Sequence, residues 1–568
     1  MNALLKLDAG TEEQSPMMLG ERLVAQGKLS AVQLEYALQK QQVEGGRLGQ
    51  LLIAHGLLTE RDLAINLAEQ RGSEFLAADL AQAPDPQLMG LFNRELCLTR
   101  GFMPLARRNG SIDILLGSGD PADVAELVQR RCGARAHFFQ GEFTSVAQMV
   151  RQEFYFAQHP VQSLITREVA LLADDADRTR GPEKLLEHVL TLAVRERATD
   201  IHIDPSGSSF HVLFRIDGVL RPKFAMPQAL SRLLVYIKLA AEMDISEQRR
   251  PQDGSLHTTV FETPFTVRVS SLVSEYGERL VLRLLPERTD LARLDQLGFR
   301  EQDIALLQKI FAKPSGMVLL TGPTGSGKST TLHAALRLQA LIERNILTVE
   351  DPIEYRLPTI CQTQVNRRAG YEFSTALRHF LRHDPDVMLV GEIRDAETAQ
   401  ATVTASATGH LVLSTLHVAS VFGVVPRLLP LGLEAQTIAE NLVAVINQRL
   451  VRRNCPFCIE QVPVTEAQQR WLGAHATSHV SRSCGCARCG NTGYLGRLPV
   501  YEILVADDAL CNAIAAGASR AALREAALAS GFAPIAEMAK WRIAHGQTTF
   551  DEVARVIGEE PQPGDAVR

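Results

Sequence analysis

A chain of 568 residues is long enough for three or more domains. Its 46% hydrophobic and 22% charged residues suit ordinary globular cores. A net charge of −6 argues against a protein that coats nucleic acid, so no nucleic-acid partner is expected. No run of about 18 apolar residues is present to span a membrane. The opening MNALLKLDAGTEEQ is too acidic, and its apolar part too short, for a secretory signal. The chain therefore reads as cytoplasmic, meeting a membrane only through partners. Nine cysteines are present, five of them between 455 and 489, which points to metal binding rather than a disulfide framework.

Residues 1–80 hold an internal repeat. Leu19-Gly20, Leu23, Gly27, Leu34, Leu38 and Gln41 recur 29 positions later as Leu48-Gly49, Leu52, Gly56, Leu63, Leu67 and Gln70. Each copy predicts a short helix, a turn at Gly27 or Gly56, an N-cap at Ser30 or Thr59, and a longer helix. On periodicity alone the leucines are the core of a small helical bundle. Residues 81–160 predict a small α/β adaptor: SIDILLGSGDPADVAELVQRR reads as strand, turn and helix. Residues 161–182 read as a linker, strongly polar from 174 onward.

Residues 183–288 predict a second α/β module. A helix opens at Glu183, and strands follow from 198 and through 210–220. Residues 251–254, PQDG, read as a turn, and 265–272 and 279–285 as strands carrying Arg268, Arg279 and Arg283. Such arginines are either paired on an open sheet face or fingers for a neighbouring phosphate, since guanidinium geometry suits developing phosphoryl charge.

Residues 289–450 carry the nucleotide signal. Gly322-Pro323-Thr324-Gly325-Ser326-Gly327-Lys328-Ser329 fits G-x-x-x-x-G-K-[ST] and lies between an apolar strand at 317–321 and a helix at 330–338 that opens with Thr330. The glycines let backbone N–H groups turn inward around ATP phosphates, and the helix N-terminus adds partial positive charge. Lys328 is placed to reach the β- and γ-phosphates, and Ser329 to ligate Mg²⁺. A second strand, 346–349, runs into Glu350-Asp351-Pro352-Ile353-Glu354, at the edge where open α/β sheets bind ligands. A third, 387–390, ends in Gly391-Glu392, a Walker B-like segment with Glu392 in place of the more usual aspartate near Mg²⁺. The strand through 409–417 ends on His417, a candidate for sensing the γ-phosphate.

Residues 451–505 contain Cys455-x-x-Cys458 and Cys486-x-x-Cys489, with 27 residues between the pairs. Four thiolates in two such pairs match a closed, structural Zn²⁺ site, with Cys484 as a nearby competitor. Residues 506–568 predict helices and a Pro/Gly/Asp-rich tail from 559 that lacks the apolar content to fold.

These motifs resemble the secretion-superfamily ATPases that serve type II secretion and type IV pilus extension. The resemblance rests on ATDIHIDP at 198–205, RRPQDG at 249–254, GPTGSGKST at 322–330, LTVEDPIEY at 347–355, DPDVMLVGEIRDAET at 384–398, TGHLVLSTLH at 408–417 and GCARCGNTGYLGRLPVYE at 485–502. It implies an α/β multidomain fold: a RecA-like P-loop core, a PAS-like module before it, a tetracysteine zinc subdomain, and helical and α+β N-terminal adaptors. Arg47-Leu48-Gly49, with Leu63, Leu67 and Gln70, resembles the half-motif of the family's cyclic-di-GMP-binding domain, although Met18 stands where the first copy would carry arginine.

The resemblance also implies roles. Glu354 would activate the attacking water and Glu392 would hold Mg²⁺ through water. Arg268 and Arg283 would reach the γ-phosphate, Arg378 and Arg382 would stand at a subunit interface, and His417 would be the His-box residue. Val418-Ala419 depart from the family's usual polar continuation. The implied assembly is a homo-hexamer whose two modules turn about a linker at 289–296. Its implied partners are an inner-membrane platform protein and a membrane anchor protein of a secretion or pilus machine, which would hold it peripherally at the inner membrane. The rival readings are a nucleotide-regulated scaffold without turnover and a pilus retraction ATPase.

Overall fold

The computed structural model describes residues 18–174, 181–286, 292–339 and 341–558. Residues 1–17, the Pro/Gly/Asp-rich tail, most of the polar part of the 161–182 linker and the start of the 289–296 linker lie outside the described residues.

The repeat folds as read. α1 (Leu19–Ala25), α2 (Ala31–Glu44), α3 (Leu48–Ala54) and α4 (Glu60–Arg71) form two helix pairs. The hydroxyls of Ser30 and Thr59 accept from the Gln33 and Asp62 N–H groups, satisfying donors that a helix start leaves free. Gly49 permits close helix crossing, because a Cβ there would meet Leu63 Cδ2 at 2.8 Å.

The adaptor holds β1 (Glu74–Phe75), α5 (Pro86–Leu91), α6 (Arg94–Thr99), β2 (Phe102–Arg108), β3 (Ser111–Leu116), α7 (Pro121–Cys132), β4 (Arg135–Gln140) and α8 (Phe143–Gln158). Its sheet runs β1-β4-β3-β2. The next segment differs from expectation. Residues 161–173 are a helix, α9 (Val161–Ala173), because Val161, Ile165 and Leu172 make an apolar stripe that is buried against the next module.

That module holds α10 (Glu183–Arg195), β5 (Ala198–Ser206), β6 (Ser209–Ile216), β7 (Val219–Pro227), α11 (Arg232–Ala240), β8 (Gln252–Val260), β9 (Thr263–Ser274) and β10 (Gly277–Pro286). The sheet order is β7-β6-β5-β10-β9-β8, antiparallel throughout. Two sequence expectations fail here. The strand expected across 210–220 is a hairpin turning at Asp217 and Gly218, both at positive φ. The turn expected at 251–254 is the start of β8. Gly254 serves close packing there: a Cβ would lie 2.2 Å from the Ala241 carbonyl oxygen.

The core begins with α12 (Glu301–Phe311), β11 (Gly316–Thr321), α13 (Lys328–Leu336), β12 (Ile346–Glu350) and β13 (Cys361–Gln364). It continues through α14 (Phe373–Phe380), β14 (Val387–Val390), α15 (Ala396–Ala407), β15 (Leu411–Leu416), α16 (Val424–Leu428), α17 (Ala435–Asn441) and β16 (Leu442–Asn454). β17 (Ile459–Pro463), α18 (Glu466–Leu472), β18 (His479–Ser483) and β19 (Tyr494–Val505) follow, then α19 (Asp508–Ala515), α20 (Arg520–Ala529), α21 (Ile535–Ala544) and α22 (Phe550–Ile557). One sheet runs β13-β12-β14-β15-β11-β16-β19, parallel except for β19 against β16. Every residue of β11, β12, β14 and β15 is buried, as helices on both faces of a parallel sheet require. The boundary expected at 450/451 falls inside β16, and the cysteine segment is an insertion between β16 and β19.

The repeat rests on the core. Leu57, Leu58 and Leu63 share one apolar cluster with Leu332, Leu336 and Leu357. Asp62 lies 3.3 Å from Lys28 Nζ and 3.9 Å from Arg293 Nε, so α4 holds the segment that joins the two modules. Among the described residues no helix is long and apolar enough to cross a membrane.

Candidate nucleotide and metal sites

Parallel strands deliver their C-terminal ends to one edge of the sheet, and the predicted residues collect there. β11 feeds the glycine loop, β12 the segment with Glu350 and Glu354, β14 Glu392, and β15 His417. Gly322, Gly325 and Gly327 have φ of 137°, 77° and 87°, values that L side chains rarely adopt. A Cβ on Gly322 would also lie 2.3 Å from the Gln448 carbonyl oxygen. α13 begins at Lys328, so Ser329 and Thr330 stand in its first turn. The buried Lys328 ammonium donates to the carbonyls of Gly322 and Pro323 at 2.8 and 3.1 Å. Burial lowers its pKa more than nearby Glu392 raises it.

Glu392 is half-buried between a guanidinium and an imidazole. Arg394 lies 2.5 Å from its Oε1, and His417 Nε2 lies 3.5 Å from its Oε2. Oε2 and the Ser326 hydroxyl are buried without a hydrogen-bond partner. Orphaned oxygens beside a buried ammonium and a helix N-terminus fit a polyphosphate with its divalent cation. Loop N–H groups and Lys328 would meet phosphate oxygens, while Ser329 and Glu392 offer oxygen to Mg²⁺.

None of the four arginines named from the resemblance, two for the γ-phosphate and two for a subunit interface, stands on the strand ends that carry the loop. Arg268 and Arg283 face each other in register across β9 and β10, and Arg283 Nε donates to Asp200 at 2.9 Å. Arg378 donates to Glu397 at 2.9 Å and Arg382 to His379 Nδ1 at 2.9 Å, both on the exposed side of the core. In the repeat, Arg47 and Gln70 are exposed, Leu48 and Leu67 half-buried, and Gly49 and Leu63 internal. Gly49 and Leu63 are thus packing residues, as the bundle reading expects.

Three contributors escaped the sequence reading. Gln448 on β16 donates to the Ser326 carbonyl and accepts from the Thr331 hydroxyl, both at 2.8 Å, bracing the loop from behind. Only the pairing of β11 with β16 brings it there. Arg394 follows Glu392 by two residues. His333 and Glu350 form a buried pair behind the loop. Burial alone would lower the His333 pKa, but Glu350 and the Ser329 carbonyl outweigh it and the net shift is upward. Burial would raise Glu350, yet His333, Thr348 and Gln362 hold it below the usual carboxylate range. The spacing of His333 four residues after Ser329 was the available signal.

The cysteines converge as spaced. The sulfurs of Cys455, Cys458, Cys486 and Cys489 lie within 4.8 Å of one another, with two edges at 3.9 Å. A zinc–sulfur bond of about 2.3 Å in a tetrahedron requires edges of about 3.8 Å, so the donor set and spacing fit zinc. Burial would raise the Cys489 thiol, but N–H groups of Cys486 and Gly493 outweigh it and bring it to about 6, whereas burial pushes the Cys455 and Cys458 thiols up. Cys484 is exposed and outside the four.

A glycine loop between buried parallel strand and helix, with carboxylates on the neighbouring strand ends, defines a P-loop ATPase. A family model described as type II/IV secretion system protein matches residues 175–555. The type IV pilus assembly ATPase PilB of Thermus thermophilus is 35% identical over 587 residues, covering 95% of this chain and 66% of its own length. The type II secretion system protein E of Klebsiella pneumoniae is 44% identical over 379 residues, covering 66% of this chain and 76% of its own. The type II secretion system protein HxcR of Pseudomonas aeruginosa is 44% identical over 374 residues, with the same coverage. The chain belongs to the type II/IV secretion system protein family.

Proposed function

We propose that this chain is the subunit of a hexameric motor that hydrolyses ATP to assemble pseudopilin or pilin subunits through an inner-membrane platform. The observation that carries the reading is that the residues expected to meet phosphate lie on two different sheets. The loop, Glu354 and Glu392 stand on the core sheet, whereas Arg268 and Arg283 stand on the module before the 289–296 linker. Glu354 orients the attacking water and takes its proton as the oxygen–γ-phosphorus bond forms and ADP leaves. Lys328 and the loop N–H groups hold the phosphates in line. Ser329 and Glu392 would hold Mg²⁺, which would supply charge neutralisation to the phosphates. Arg268 and Arg283 complete the charge stabilisation only when their module swings in, and Arg378 and Arg382 act across the subunit boundary. Hydrolysis then depends on conformation, as mechanical work requires.

The zinc knob is structural, with no open coordination position. The repeat is read as a regulatory module that takes cyclic-di-GMP at Arg47, and the machine's anchor protein holds the hexamer at the inner membrane. Mixing wild-type chains with Lys328→Ala chains tests the shared-site motor. Activity should fall more steeply than the wild-type fraction, because one inactive subunit stalls its neighbours. A strictly proportional fall overturns the cooperative reading, and no phosphate release from wild type would leave a nucleotide-regulated scaffold.

A further inference from the structure

The histidine on α13 has surroundings that phosphate binding does not explain. The side chains of His333 and Glu350 are 2% and 5% exposed, with Nε2 and Oε2 3.0 Å apart. Nε2 makes no aligned hydrogen bond across that distance. Nδ1 lies 2.8 Å from the Ser329 carbonyl oxygen, so this nitrogen carries a proton and donates. The other oxygen of Glu350 accepts from Thr348 Oγ1 at 2.7 Å and from Gln362 Nε2 at 3.0 Å. Gln362 also donates to the Tyr355 carbonyl at 2.8 Å and accepts from the Leu357 N–H at 2.7 Å. Tyr355 closes the circuit: its hydroxyl lies 3.2 Å from Thr330 Oγ1, and its ring stands 5.2 Å from that of His333.

The contacts form a ring. It leaves the P-loop helix at Ser329, crosses His333, Glu350 and Gln362 to the loop after β12, and returns through Tyr355 to Thr330. Glu354 sits inside that braced loop, one residue before Tyr355, and is itself exposed. An exposed glutamate has no packing of its own to hold it, so its placement depends on the backbone that carries it.

We propose that His333, Glu350 and Gln362 are positioning residues that hold the Glu354 loop in register with the P-loop helix. The proposal rests on the reading of Glu354 as the group that activates water. Each of the three acts through backbone or through another side chain. Their combined effect is to couple the Mg²⁺-ligating turn to the water-activating loop as one rigid unit. The polar groups of the ring are buried or half-buried and bonded within it, so removing one member leaves its partner unsatisfied.

The test compares wild type with Gln362→Leu, Glu350→Gln and Glu354→Gln. Steady-state turnover, the Kd for a non-hydrolysable ATP analogue and the melting temperature are read for each. Gln362→Leu and Glu350→Gln should lose on the order of a hundredfold in kcat, the scale of an ångström-sized misplacement. Their Kd should stay within about threefold of wild type, since binding uses the glycine loop rather than this ring. The double variant should lose little more than either single one, because both break one circuit. Full turnover in Glu354→Gln faults the base assignment. Wild-type turnover in Gln362→Leu and Glu350→Gln, beside an inactive Glu354→Gln, overturns the positioning proposal alone. Affinity, melting temperature and kcat falling together in both variants also overturns it, because that pattern belongs to general destabilisation.

Discussion

Replacing Gln448 with leucine keeps roughly the volume of a buried side chain and removes one hydrogen bond to the phosphate loop and one to the helix after it. The Ser326 carbonyl loses its donor at 2.8 Å and the Thr331 hydroxyl loses its acceptor at 2.8 Å. An unpaired buried polar group costs about 1–3 kcal/mol. The Thr331 hydroxyl can turn to a carbonyl of its own helix, so most of the cost falls on Ser326. About 2 kcal/mol drawn from the binding-competent loop corresponds to a roughly 30-fold weaker Kd for nucleotide. Gln448→Glu should be worse: it keeps an acceptor for Thr331 but sets a carboxylate against the Ser326 carbonyl and near the phosphates. Equilibrium titration with a fluorescent Mg²⁺-nucleotide measures both variants, with thermal unfolding run alongside. Affinity within about twofold of wild type for Gln448→Leu, or tighter binding by Gln448→Glu, would refute the bracing argument.

Metal analysis of the purified protein should find about one zinc per chain, and Cys486→Ser should lose it and lower the melting temperature. Retained zinc in that variant would contradict the four-sulfur site. Glu552 is fully buried between Arg452 and Arg555. Burial would raise its pKa, but the two guanidiniums hold it below the usual value. Its stabilisation is therefore present above the unfolded carboxylate pKa and lost as pH falls through the depressed folded value. Glu552→Gln should flatten the acid limb of the stability profile, and an unchanged limb counts against the pairing. Asp62→Asn should raise hydrogen exchange in α4 and in 292–297 together, since one carboxylate ties them. Faster exchange in α4 alone would mean that the repeat does not hold the linker.

Much of this was legible because the signals are local. The glycine loop, the cysteine spacing and the 29-residue repeat each depend on residues close in the chain, and each fixes its own backbone. Ser30 and Thr59 cap the helices their positions announce. What was missed depends on contacts distant in sequence. Gln448 reaches Ser326 only through the pairing of β11 and β16. Gly254 reads as a turn residue until the Ala241 carbonyl is seen against it. The 161–173 stretch reads as linker until the face that Ile165 packs on is known. The insertion of the four-cysteine segment between β16 and β19 is a matter of sheet order, to which local spacing is blind.

Turnover at this loop depends on Glu354 and Lys328 together. Phosphate release is the direct measurement, on wild type, Glu354→Gln and Lys328→Ala at saturating Mg²⁺-ATP. Wild type should release phosphate steadily, both variants should lose on the order of a hundredfold or more, and Glu354→Gln should still bind nucleotide. Equal, slow release by all three proteins would contradict that dependence.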